Sequence, residues 1–318
     1  MKRFFTIICM LMCLAMGFAQ VSNDGSVTTI GPVDNYGFLT GPDGSTWTYT
    51  AAYTTQYGEV TAADITIYDS QYNLVGTLSE TFQLAETDLF IRNVEINSLV
   101  TRKFFNSDDN YEIMLFISVA TKDYTGRFYN SVYSLTDEGS KHVCNVDGNQ
   151  VLAKNISTNK NDNYTMVFFR QYYDANNKLF YNYDVYGKAE YGTSQPVLKH
   201  TFEIPYQHIA ALNDPMPIYM VQSGTYTIDY FVAQYEQPFF DPNIPVYEEP
   251  VINPNNNLVI TRYDNKFKTL SEVKIPMIQD EDPGFLYTFY YLGGLGGQND
   301  IILNYNGTGE PAFIVTKD

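Results

Sequence analysis

The chain has 318 residues and a formal net charge of −17, which excludes nucleic acid and anionic membrane surfaces as partners. It carries 28 Tyr and 21 Phe but a single Trp, Trp47. Tyr and Phe suit pleated, half-buried surfaces, and no stretch beyond residue 19 sustains a helical period, so a helical architecture is excluded as well.

Lys2 and Arg3 form a positive leader to the apolar run 4–18, and Gly17-Phe18-Ala19 supplies the small residues that signal peptidase reads. The run is too short for a membrane span. The expected domain plan is a signal peptide, 1–19, and a mature all-β repeat domain, 20–318, in a protein that is secreted or held at the cell surface. Cys9 and Cys13 leave with the signal peptide, and Met12 before Cys13 does not fit a lipidation site. The mature chain keeps Cys144 alone, so no internal disulfide supports it.

Residues 20–42 are rich in Gly, Ser and Thr around a short apolar patch at 27–30. Pro42-Asp43-Gly44 is a turn signal leading into a strand near Trp47. Residues 65–75 and 260–270 share one layout, strand, Tyr-Asp turn, strand. A looser relative covers 132–143, turning at Thr136-Asp137-Glu138-Gly139. These alternate enough to be hairpins with one solvated face. Residues 106–110 form a polar turn that runs into the apolar stretch 113–119, which reads as a strand buried on both faces.

That last unit recurs. Asp162-Asn163-Tyr164 repeats Asp109-Asn110-Tyr111 at a distance of 53 residues, each leading into an apolar strand. Aspartate-bearing turns ahead of aromatic strands occur at Asp43, Asp109, Asp162, Asp214 and Asp282, with spacings of 66, 53, 52 and 68. The last spacing contains the segment 238–254, 17 residues with five prolines, which resist strand pairing. Read as an inserted loop, its removal restores a spacing of 51. A period near 50 in an all-β chain predicts a β-propeller of five four-stranded blades, with six as the other count. The final unit has room for three strands, and the stretch around Val27 is expected to supply the fourth and close the ring. The alternative is two β-sandwiches in tandem, divided at 238–254.

The segment Phe104-Phe-Asn-Ser-Asp-Asp-Asn-Tyr-Glu-Ile-Met-Leu-Phe116 resembles a repeat of secreted, blade-forming proteins of the Bacteroidetes. The resemblance implies a propeller-like fold and an exported protein. Many such proteins end in a sorting domain for type IX secretion, whereas this sequence stops at Ala312-Phe-Ile-Val-Thr-Lys-Asp318, inside the expected last blade.

His142, His200 and His208 are the only histidines, and no Gly-x-Ser-x-Gly elbow is present. His142 and Cys144 are two apart, which suits a structural thiol beside a surface histidine better than a catalytic dyad. Three scattered histidines and one cysteine do not assemble a zinc site. The polar stretches 106–110, 174–178 and 280–282 lack the spacing of a calcium loop, so no metal and no cofactor is expected. Asn155, Asn163 and Asn306 begin glycosylation sequons, which in a bacterial secretory context are read as coincidental. If the chain is a hydrolase, its candidate catalytic groups are Asp43, Asp109, Asp162, Asp214 and Asp282 converging on a central funnel. The reading adopted is a secreted, non-enzymatic binding or surface-interaction module for an extracellular glycan or protein. An extracellular glycoside hydrolase on the same scaffold is the alternative.

Overall fold

A computed structural model describes residues 19–21, 27–29, 35–123, 126–155, 164–176, 178–209, 217–224, 227–238, 256–276, 287–293, 299–305 and 311–315, with side chains between 35 and 274. The expected signal peptide, 1–19, apart from Ala19, and most of the Pro-rich segment 238–254 lie outside them. All regular structure among these residues is β, apart from one 3₁₀ turn at Tyr206–His208. Seventeen strands form four antiparallel sheets, each built from strands consecutive in the chain.

Sheet 1 comprises β3 (Asn35–Thr40), β4 (Thr46–Gln56), β5 (Glu59–Tyr68) and β6 (Leu74–Thr81) in that order, preceded by a separate pair, β1 (Ala19–Val21) and β2 (Val27–Thr29). Sheet 2 runs β7 (Asp88–Ile96), β9 (Tyr111–Thr121), β10 (Arg127–Thr136), β11 (Gly139–Asp147), with the two-residue β8 (Thr101–Arg102) also on β9. Sheet 3 is β12 (Asn149–Asn155), β13 (Tyr164–Tyr173), β14 (Leu179–Gly187) and β15 (Val197–Pro205). Sheet 4 is β16 (Ile218–Gly224), β17 (Thr227–Tyr235), β18 (Asn257–Tyr263) and β19 (Thr269–Pro276). A last sheet has three strands, β20 (Tyr287–Gly293), β21 (Asn299–Tyr305) and β22 (Pro311–Val315), the number expected for the final unit.

One expectation is corrected. The stretch at Val27 does not join the last sheet: β2 pairs with β1, Val21 opposite Val27. A strand a few residues away closes a far smaller loop than one at the other end of the chain, so the local hairpin costs less chain entropy.

The chain divides into two compact units, Met1–Asp147 with Ala189–Gln195, and Gly148–Lys188 with Pro196–Asp318. In the first, sheets 1 and 2 share a core to which β5 gives Ala63, Ile65 and Ile67 and β9 gives Ile113, Leu115, Ile117 and Val119. Residues on the opposite face of β9, Glu112 and Met114, are buried too, so the strand is closed on both sides as its apolar run predicts. In the second unit, sheets 3 and 4 meet around Val167, Tyr183, Val185, Phe202, Ile218, Ile228 and Tyr230. Packing there is aromatic: Phe202 touches Tyr230 and Tyr263, and Phe267 stacks on His200 with centroids 4.4 Å apart.

Three turns are built alike. Asp69, Asp174 and Asp264 each donate a backbone N–H to the carbonyl four residues on, Asn73, Lys178 and Lys268. Each carboxylate then accepts N–H groups from residues two and four ahead, at 2.8–2.9 Å. This is the short-range aspartate chemistry of a turn. It gives Asp174 its role as a turn residue. Phe267 holds a φ of 63° in the third of them, a costly conformation for a side chain with a Cβ, and its ring packing offsets the strain.

Candidate functional site

Of the five candidate aspartates, Asp43 and Asp109 are described, whereas Asp162, Asp214 and Asp282 lie outside the described residues. Their places in the chain are not equivalent. Asp43, Asp109 and Asp162 precede the strands β4, β9 and β13, none of which is first in its sheet, but Asp214 and Asp282 precede the first strands β16 and β20.

Asp43 lies in the turn between β3 and β4, which closes through Gly41 N–H to Ser45 O at 2.8 Å. Its Oδ1 accepts from Ser45 N–H at 3.0 Å and from Ser45 Oγ at 2.5 Å. Ser45 Oγ in turn accepts the indole N–H of Trp47 at 3.0 Å. The indole is buried edge-on against Tyr111, centroids 4.9 Å apart. Gly41 is required here, because a Cβ on it would fall 2.4 Å from Trp47 Nε1. Asp43 therefore orients the only tryptophan through a serine.

Asp109 sits on an exposed turn. Lys103 Nζ lies 2.5 Å from its Oδ1, and Arg102 Nη2 3.5 Å. The hydrogen bond from Lys103, with the charges of both cations, holds the carboxyl below its usual range. A general acid needs the opposite shift. Asp109 is an ionised turn residue in a surface ion pair.

The carboxylate that departs upward is Glu112, which is fully buried. Its Oε1 accepts N–H groups of Phe105 and Asn106 at 3.0 and 2.9 Å; its Oε2 accepts Phe104 N–H at 2.9 Å and Thr101 Oγ1 at 2.8 Å. Burial pushes the pKa up further than the four donors pull it down. The group pins residues 104–106 beneath β9 and has no open side for a substrate.

Other charges inside the sheets are paired. Arg127 meets Asp88 through Nε and Nη2 at 3.0 and 2.8 Å, and Arg170 Nε meets Asp184 at 2.5 Å. The sequence reading passed over these acids. The available signal was a charged residue inside an aromatic strand, as in Tyr183-Asp184-Val185 and Ile228-Asp229-Tyr230.

Cys144 is buried and its thiol is pushed up to about 12, chiefly by desolvation, so it is no nucleophile. A bulge separates it from His142, which is exposed and pairs with Asn145 Oδ1 at 3.0 Å. His208 Nδ1 lies 2.7 Å from Tyr235 O. Among the described residues, no three His, Cys, Asp or Glu side chains are placed to hold a metal ion, and no helix is long and apolar enough to cross a membrane.

No known protein family matches the chain, and no curated protein matches it.

Proposed function

We propose that the chain is an exported, non-enzymatic binding protein on a propeller-like scaffold, acting on an extracellular glycan or protein. The observation that carries this reading is the state of the carboxylates. Among the described residues, those singled out from sequence are turn anchors, and the one raised carboxyl, Glu112, is sealed by four donors. Large aromatic side chains are left at the surface instead, Phe38 and Tyr36 on β3 and Tyr57 at the β4–β5 tip, where φ is 55°. Aromatic groups with a polar tip are the residues that make contacts at binding surfaces.

A propeller is supported by the succession of meander sheets, since a Greek-key sandwich would pass strands between its sheets. In the second unit the first strands also neighbour one another, β12 lying against β16. Small-angle scattering of the mature chain tests this part. A closed ring gives a radius of gyration of about 19 Å, and tandem sandwiches a clearly larger one.

The functional test exposes the mature chain to soluble glycans and extracellular proteins, measuring retention and product release together. Saturable retention without product is expected. Product release, or no saturable retention by any member, contradicts the reading.

A further inference from the structure

β3 is an edge strand of sheet 1, with β4 as its only strand neighbour there. Hydrogen bonding in an antiparallel pair alternates, so every second residue of β3 turns its backbone away from β4. Thr40 identifies the set. Its N–H donates to Ser98 O at 2.6 Å and its carbonyl accepts Val100 N–H at 3.0 Å, a parallel bridge to Leu99 on the side away from β4. Phe38 and Tyr36 belong to the same set. The Tyr36 N–H is taken by the Asn35 side chain, with Oδ1 at 2.7 Å. The N–H and C=O of Phe38 face outward with no partner among the described residues. Phe38 is 67% exposed and Tyr36 54%, so the edge is open to solvent here. Folded proteins blunt such edges with charges, prolines or bulges. β3 has none of the three: residues 35–40 read Asn-Tyr-Gly-Phe-Leu-Thr, and the register with β4 runs without a shift. The edge strands β11, β15 and β19, by contrast, each carry a lysine and pair through a register shift.

We infer that this edge of β3 receives an extended segment of a partner polypeptide as an added strand, hydrogen-bonded to Phe38 and flanked by the Phe38 and Tyr36 rings. The inference rests on the binding reading above and names its ligand. A peptide backbone is what such an edge specifies, because Phe38 offers a donor and an acceptor side by side, as a neighbouring strand does in return. The segment 98–100 shows the same edge taking polypeptide two residues further on, at Thr40. The rings favour apolar side chains in the added segment. A chain of net charge −17 repels an acidic segment and a second copy of itself, so the partner segment is neutral or basic.

Selection of random linear peptides on the immobilised mature chain, followed by calorimetric titration of those obtained, tests the edge. Saturable binding of neutral or basic peptides with alternating apolar residues is expected. Methylating every second backbone nitrogen of such a peptide should weaken binding by about tenfold or more in one alternating phase and leave it unchanged in the other. An added strand turns only one set of its N–H groups to β3. Phe38→Pro removes the outward N–H at an edge position, where proline is tolerated, and should weaken binding about tenfold. Phe38→Lys places a charge on the edge and should weaken binding as well; it decides the matter if Phe38→Pro does not fold. An equal effect of the two methylation phases, or binding that ignores both variants, overturns the site. So does failure to obtain any peptide. Saturable retention of a glycan would in that case leave the broader binding reading standing, and retention of neither would remove both.

Discussion

Arg262 and Asp229 form a two-donor pair across the β17–β18 hairpin, with Nε and Nη2 of the guanidinium 3.0 and 2.8 Å from Asp229 Oδ2. Both side chains are nearly closed to solvent, and Ser223 Oγ donates to the second oxygen at 2.7 Å. Removing Asp229 takes away the carboxylate that two guanidinium donors of a buried arginine face. Asp229→Ala is therefore expected to lower stability by about 3–5 kcal/mol, read from urea unfolding. Asp229→Leu combined with Arg262→Met should cost much less, because no charge is stranded.

Glu112 supports a second prediction, with a definite sign in pH. Its carboxylate meets four donors, and glutamine offers one acceptor oxygen and an N–H₂ group that faces donors. Glu112→Gln should cost about 1–3 kcal/mol near neutral pH. Because burial raises the folded pKa, the folded state binds more protons than the unfolded one between the ordinary glutamate value and the raised value. Stability from this group therefore falls as pH rises through that window and is level above it. The variant should lose this slope. Equal pH slopes in wild type and variant contradict the assignment.

Asp88 works in the other direction. Hydrogen bonds from Arg127 hold it below the usual range against desolvation. Its contribution is present above the ordinary aspartate value and is lost as pH falls through the lowered one. Arg127→Met should flatten the acid limb of the stability profile without touching the Glu112 window.

Much of the fold was legible because local chemistry and burial agree in it. The run 113–119 lies within β9 and the turn 106–110 directly precedes it, and the Tyr-Asp layout at residues 68–69 became a turn closed by its own carboxylate. β13 begins at Tyr164 and ends at Tyr173, the limits its apolar pattern suggests. Pairing partners were not legible. Nothing in Thr101-Arg102 announces a strand, and the partner of the Val27 stretch depends on loop length, not on side chains. Spacing alone also does not tell which strand of a sheet follows Asp214 or Asp282, because an aspartate ahead of a strand marks a turn and no more. Glu112 escaped notice for a related reason. An acid inside an apolar run has meaning only once the donors of Phe104, Phe105 and Asn106 are seen to converge on it.

Gly41 and Trp47 give an optical prediction. A methyl group at residue 41 must displace the indole, breaking its bond to Ser45 Oγ and its edge contact with Tyr111. As the chain has one tryptophan, Gly41→Ala should shift the emission of the folded protein to the red and lower its melting temperature. Unchanged emission would show that the turn yields without moving the ring.

The most direct test of the central claim, that the turn-borne carboxylates are structural in a non-enzymatic protein, is product release from a glycan panel. The mature chain would be assayed beside Asp43→Asn, Asp109→Asn, Asp162→Asn, Asp214→Asn and Asp282→Asn. Asparagine keeps the shape of each side chain and its capacity to accept turn hydrogen bonds. The account predicts no turnover by wild type, with wild-type melting temperature retained in Asp109→Asn. Turnover by wild type that disappears in any folded variant would contradict it.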